Sequence, residues 1–157
     1  MEDFNIYKSS LGLIKIEYND KAVVAIRVVV TNDEKTLDMG KPSSISKLAI
    51  KQLNEYFDGK RKYFDIPIEL KGTEFQKKVW KALIEIPYGE TRSYKDIAIS
   101  IGNPKAARAI GNANNKNPIA IVLPCHRVIG SNGKLVGYEY GVDINEKLLE
   151  LEKSNNK

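Results

Sequence analysis

The chain of 157 residues holds one cysteine, Cys125, and one histidine, His126. One thiol excludes an intramolecular disulfide. One thiol and one imidazole fall short of the three or four ligands that a Cys/His zinc site needs. A lone thiol also fits a reducing cytoplasm better than a secreted setting. No apolar run approaches the roughly 20 residues of a membrane span; the longest, over 22–30, is interrupted by Arg27. The start, MEDFNIYKSS, lacks the basic and apolar regions of a signal peptide. No internal repeat or long low-complexity segment is visible.

What is present is an ordinary globular composition, 42% hydrophobic and 29% charged, with a net charge of +5. The charge is uneven. Residues 1–71 carry twelve basic and eleven acidic groups. Within 91–134 there are seven basic groups, among them Arg92, Lys95, Lys105, Arg108 and Arg127, against Asp96 alone. That stretch tilts toward a polyanionic partner, and it also holds the cysteine.

The first part reads as strands. Residues 11–18 partly alternate, and 23–30 are β-branched and buried in character, with a turn at Asn19-Asp20. After a polar loop over 31–42, Ser43 or Ser44 opens a helix carrying Ile45, Leu48, Ala49, Leu53, Tyr56 and Phe57, stopped by Gly59. A short strand over 66–70 closes this lobe, and Lys71-Gly72 marks a boundary. Beyond it the pattern turns helical. Thr73 and Gln76 form a capping-box signature before the core stripe Phe75, Val79, Leu83 and Ile86. Ser93 and Asp96 start a short helix over Tyr94–Ser100, which Gly102 stops. Asn103 as N-cap and Pro104 as first helical residue begin the next, which carries Ala106, Ala107, Ala109, Ile110 and Ala113. These two helices have the outline of a helix-turn-helix. A loop over 114–118, a buried apolar segment over 119–123 and a turn at Gly130-Ser131-Asn132-Gly133 follow. Asp143 and Glu146 cap a last helix carrying Ile144, Leu148 and Leu151.

Cys125 and His126 end the buried run. A thiol reacts as its thiolate, and a nearby base or cation favours that form. Taken alone, a cysteine such as Cys125 is more often a small core hydrophobe, and a lone histidine such as His126 more often a structural group. Sequence neighbours seldom point the same way, so a bridging water is a natural relay between them. Pro124 stops the preceding strand, Arg127 adds local positive charge, and Asn117 precedes Pro118 where an Asn side chain can brace a turn.

The run Pro124-Cys125-His126-Arg127-Val128, preceded by Gly102-Asn103-Pro104-Lys105-Ala106-Ala107-Arg108-Ala109-Ile110-Gly111, resembles the O6-alkylguanine-DNA alkyltransferases. The resemblance runs from about Gly72 to Glu152. It implies an α/β (α+β) fold, with a small N-terminal antiparallel sheet and helix (ribonuclease-H-like) over 1–71. A mostly helical DNA-binding and alkyl-acceptor domain with a helix-turn-helix covers 72–157. It also implies direct repair of double-stranded DNA. The recognition helix enters the minor groove, the alkylated guanine is flipped out, and its alkyl group passes irreversibly to the cysteine, with no cofactor. The chain is read as a monomer without membrane contact.

By position, Cys125 resembles the alkyl acceptor, His126 the base that relays the thiol proton, and Glu152 the acid that orients the imidazole. Asn117 matches the asparagine that braces the active-site turn. Tyr94 matches the tyrosine that contacts the flipped nucleotide and protonates the departing guanine. Arg108 resembles the finger that fills the vacated stack. Gln76, Lys95, Asn103 and Ser131 match backbone contacts to DNA, with helix starts at Tyr94 and Pro104 facing phosphates. Val128, Tyr138, Glu139 and Tyr140 would line the guanine pocket. Tyr140 stands where the family frequently has glycine, which implies a narrower pocket that favours methyl over benzyl groups. The N-terminal lobe has neither Cys nor His, so the structural zinc of some relatives is not expected. Two rival readings are a DNA-damage sensor or binding module without transfer, and a Cys-His hydrolase with turnover. The acceptor cysteine argues against the first. The lack of an oxyanion-hole signature and of a second histidine argues against the other.

Overall fold

The computed structural model describes residues 2–31, 33–130 and 142–156 of the chain. It divides into two compact units, Met1–Leu70 with Pro118–Ala120, and Lys71–Asn117 with Ile121–Lys157. The return of Pro118–Ala120 to the first unit is absent from the strictly sequential division read from the sequence.

The first unit is an antiparallel sheet of β1 (Asp3–Ser9), β2 (Gly12–Tyr18) and β3 (Val23–Val28), in that order, covered by α1 (Ser44–Phe57). β1 is a strand that the sequence analysis did not identify. Its alternation is weak, because Asn5 is one of the residues it buries. The link between β2 and β3 spans 19–22. There Asn19 Oδ1 accepts from the Lys21 and Ala22 amides at 2.9 and 2.8 Å, the local bracing that favours Asn in turns. β3 is shorter than the β-branched run suggests: it stops at Val28, and Val30 is 92% exposed. The expected strand over 66–70 is a single parallel bridge, Val23 to Ile68. Pro67 contributes only its carbonyl there, since it has no amide proton. A second parallel bridge pairs Ile26 with Ile119, with N–H···O bonds of 2.9 and 3.1 Å. Ile14, Ile16, Ile26, Leu53 and Tyr56 form the buried centre.

Helix α1 starts at Ser43, which accepts from the Ser46 amide while Ser46 returns the bond to the Ser43 amide. Leu48, expected on the apolar stripe, is partly exposed.

The second unit contains α2 (Glu74–Ile84), β4 (Arg92–Ser93), α3 (Tyr94–Ser100), α4 (Ala107–Asn115), a 3-10 turn (Cys125–Arg127), β5 (Val128–Ile129) and α5 (Val142–Asn155). The capping boxes Thr73/Gln76 and Ser93/Asp96 are both formed. On α2 the buried face is Val79, Trp80 and Leu83, while Phe75 is only half-buried. Trp80 takes the larger share of the core, and its indole N–H donates to the Ala113 carbonyl of α4 at 2.9 Å.

The start of α4 differs from expectation. The helix begins at Ala107, with Ala106 at the cap and no side-chain capping bond. Residues 103–106 instead form a turn closed by the Ala106 amide on the Asn103 carbonyl at 3.0 Å. Pro104 suits the second position of such a turn as well as it suits a helix start, and the turn is adopted. Gly102, at φ +79°, ends α3 with the left-handed residue that helix termini favour.

Candidate active site

The short parallel pair β4–β5 brings Arg92 beside Val128 and Ser93 beside Ile129. It therefore ties the start of α3, and Tyr94 with it, to the segment that follows the cysteine. Cys125 opens the 3-10 turn and is 4% exposed. Its amide donates to the Leu123 carbonyl at 2.7 Å. The same carbonyl accepts from Asn117 Nδ2 at 2.7 Å, so Asn117 braces the turn from inside the protein. Four residues before the cysteine, Ile121 holds φ +74° while buried. That conformation costs a β-branched residue about 1–3 kcal/mol, and the surrounding contacts must hold it.

His126 and Glu152 are both fully buried, and they meet: Nε2 of the imidazole lies 2.5 Å from the Glu152 carboxylate. Arg127 is buried against the same carboxylate in a bidentate pair, Nε at 2.8 Å and a terminal nitrogen at 3.0 Å. Its other terminal nitrogen donates to the Ile86 carbonyl at 2.7 Å, and its guanidinium lies 5.6 Å from the centre of the Tyr88 ring. The Gly89 amide donates to Glu152 at 3.1 Å. Gly89 holds φ +80°, the left-handed conformation that aims this amide into the cluster and that glycine adopts without steric cost.

Burial works against charge on both partners. For His126 it outweighs the attraction of Glu152 and holds the imidazole below its ordinary value of 6.5, so the ring is neutral at neutral pH. For Glu152 burial raises the carboxyl. The Arg127 charge and the hydrogen bonds from His126 and Arg127 outweigh that and bring it down to about 2. The result is a fixed carboxylate that orients a neutral imidazole, with Nε2 committed to the carboxylate and Nδ1 as the ring's other nitrogen.

Asn114, in the last turn of α4, is 1% exposed, and its amide nitrogen donates to the Cys125 carbonyl at 3.4 Å. Its Oδ1 has no hydrogen-bond partner among the described residues. An orphaned buried acceptor costs about 1–3 kcal/mol. Arg127, Tyr88, Gly89 and Asn114 were not singled out as site residues from sequence. Only Arg127 carried a signal, its place in the cysteine motif.

The remaining expected residues fall as follows. Tyr94 is half-buried at the start of α3, and a Cβ on Gly111 of α4 would lie 3.9 Å from its ring. Lys95, Asn103 and Arg108 are exposed. Gln76 lies in a groove of about 490 Å³ between α2 and α4, with Phe75, Asn112 and Lys116. Val128 is fully buried. Ser131, Tyr138, Glu139, Tyr140, the expected turn beyond Gly130 and the Asp143 side chain lie outside the described residues.

Residues 74–154 match the 6-O-methylguanine DNA methyltransferase DNA-binding domain, and 4–70 match its ribonuclease-like domain. This chain belongs to the methylated-DNA–protein-cysteine methyltransferases. Within that family it is 50% identical to the Methanosarcina barkeri protein, over 97% of this chain and 98% of the relative. It is 65% identical to the Methanosarcina acetivorans protein over 68% of each. A crystal structure of Mycobacterium tuberculosis O6-methylguanine methyltransferase superposes with a TM-score of 0.88 at 45% identity, covering 99% of this chain and 94% of that one. The same methyltransferase solved in complex with DNA superposes at 0.86 and 45%, covering 97% and 93%. No helix among the described residues is long and apolar enough to cross a membrane.

Proposed function

We propose that this methyltransferase repairs double-stranded DNA by taking the alkyl group of O6-alkylguanine onto Cys125, once per molecule and without a cofactor. The observation that carries the reading is the buried cluster next to the cysteine: His126 held by Glu152 at 2.5 Å, and Glu152 clamped by Arg127. Purely structural histidines need no such fixed carboxylate, whereas a general base does.

The thiol proton passes to His126 Nδ1, directly or through a water. Cys125 sulfur attacks the alkyl carbon, the S–C bond forms and the C–O6 bond breaks. Its electron pair stays on the purine, and the departing guanine takes a proton from the Tyr94 phenol, which recovers one from solvent or the imidazolium. The net products are a thioether and guanine. Glu152 stabilises the imidazolium that forms transiently, and Asn117 keeps the turn that presents the sulfur.

Exposure of Arg108, Lys95 and Asn103 supports their role at DNA: Arg108 stacks in the place of the flipped base, and Lys95, Asn103, Gln76 and Ser131 contact the backbone. Val128, Tyr138, Glu139 and Tyr140 line the base pocket, with Tyr140 favouring methyl. Residues 72–157 form the DNA-binding and acceptor domain, 1–71 its companion lobe, and the protein works in the cytoplasm as a monomer.

Replacing Cys125 by Ser tests the reading. Transfer to protein is expected to vanish while affinity for duplex DNA persists. Label still appearing in the Cys125→Ser protein contradicts it.

A further inference from the structure

We propose that Arg127 sets the proton state of the active-site base: its fixed positive charge offsets the Glu152 carboxylate, so that His126 Nδ1 stands unprotonated at rest and can take the thiol proton. The proposal rests on alkyl transfer to Cys125 through His126 and adds a positioning residue to that reading.

Four donors reach the two carboxylate oxygens of Glu152. Oε1 accepts from Arg127 Nε at 2.8 Å and from the Gly89 amide at 3.1 Å. Oε2 accepts from His126 Nε2 at 2.5 Å and from a terminal nitrogen of Arg127 at 3.0 Å. A carboxylate can only accept, so Nε2 carries the proton of the neutral ring and Nδ1 its lone pair. The guanidinium is fixed on further sides by the Ile86 carbonyl at 2.7 Å and the Tyr88 ring at 5.6 Å. Arg127 is 7% exposed, so water screens its charge little.

The charge count explains why an arginine stands there. With Arg127 cationic, Glu152 anionic and His126 neutral, the buried cluster carries no net charge. Without Arg127 it would carry one negative charge, which burial disfavours, and it would take up a proton. A proton on the imidazole occupies Nδ1. A proton on Glu152 is donated to Nε2, and the ring's own proton then sits on Nδ1. Either arrangement closes Nδ1 to the thiol. The other ionisable groups facing the pair cannot replace this charge. Tyr88 is neutral, because burial and the Glu152 charge hold its phenol above its ordinary value of 10. Cys125, on the same turn, is the group whose proton must move. Glu150 and Lys153 of α5, and Glu85 and Glu90 to either side of Tyr88, are exposed.

The chain has one histidine, so the imidazole 15N signals of the full chain report directly whether Nδ1 bears a proton. In the wild type Nδ1 is expected to be unprotonated at pH 7 and to gain its proton only below pH 6.5. In Arg127→Gln, and in Arg127→Met as a second neutral variant, Nδ1 is expected to be protonated at pH 7. The acid limb of single-turnover alkyl transfer is expected to climb with it by about one pH unit or more, a loss of about tenfold per unit on that limb, which higher pH restores. Arg127→Lys keeps the charge and is expected to leave Nδ1 unprotonated at pH 7. A merely structural Arg127 would lower the rate equally at every pH, with Nδ1 unprotonated in each folded variant, and that result overturns the proposal. An Nδ1 already protonated at pH 7 in the wild type also overturns it, and is read on the native protein whether or not a variant folds. An Nδ1 that gains its proton in Arg127→Gln while transfer is unchanged would uphold the hold of Arg127 on the proton and refute instead the base role of His126.

Discussion

In the first unit, the buried polar side chains are neutral and tie strand, helix and loop together. Asn5 donates to Ser46, Ser46 closes the cap of α1, and Gln52 pairs with Asp65. None of the three buried residues is charged. In the second unit, buried polar groups from distant parts of the chain converge on one carboxylate: Gly89, His126 and Arg127 all bond Glu152. A buried ion pair is a poor way to gain stability, because desolvation consumes most of the attraction. A fold that needed only a core could use the first unit's solution throughout. The charged cluster next to Cys125 is therefore best explained by chemistry, and the contrast between the units separates what holds the protein together from what equips it to react.

The largest break in that contrast is Glu152→Gln. It leaves Arg127 buried opposite a neutral group, at an expected cost of about 3–5 kcal/mol, read as a lowered denaturation midpoint. Leu53→Ala in the first unit has an expected cost of similar size, about 2–5 kcal/mol, through lost packing. The two separate by pH. Glu152 falls from 4.5 to about 2 on folding, and His126 falls below 6.5. Both groups bind protons more readily in the unfolded chain, so their contribution is complete above about pH 6.5 and is lost as pH falls toward 2. Emission from Trp80, the chain's single tryptophan, is expected to show Leu53→Ala retaining this acid sensitivity and Glu152→Gln losing the part below pH 4.5. Equal acid slopes for the two variants would break the comparison.

A smaller effect sharpens it. Gly89→Ala places a side chain at φ +80°, at a cost of about 1–2 kcal/mol, and misaims the amide that bonds Glu152. Its Cβ would also meet Asn156, with Nδ2 at 2.4 Å and Cβ at 2.9 Å, so the backbone of one segment must shift as well as the Asn156 side chain. Alkyl transfer is expected to slow by more than the stability loss explains. A purely thermodynamic effect would place Gly89 with the scaffold.

Local signals were legible in the sequence because their physics is local. The Thr73/Gln76 and Ser93/Asp96 boxes lie three residues apart and are formed. Asn103-Pro104 failed as a helix start because the same pair also makes a β-turn, and nothing within the segment decides between them. β1 was missed because its burial of Asn5 depends on Ser46, 41 residues away. The site divides the same way. The cysteine motif marks Cys125 and His126, and the resemblance supplies Glu152 and Asn117. The burial of Arg127 becomes evident only with its carboxylate partner, 25 residues on. Asn114 reads as a loop residue until α4 extends through Asn115 and turns it inward.

The most direct test of the central claim is intact mass after incubation with a duplex containing one O6-methylguanine. The account predicts a gain of one methyl per molecule, mapped to the Cys125 peptide, and restored guanine in the DNA. Repair of several equivalents by a protein of unchanged mass, or a methyl carried anywhere else, would contradict it.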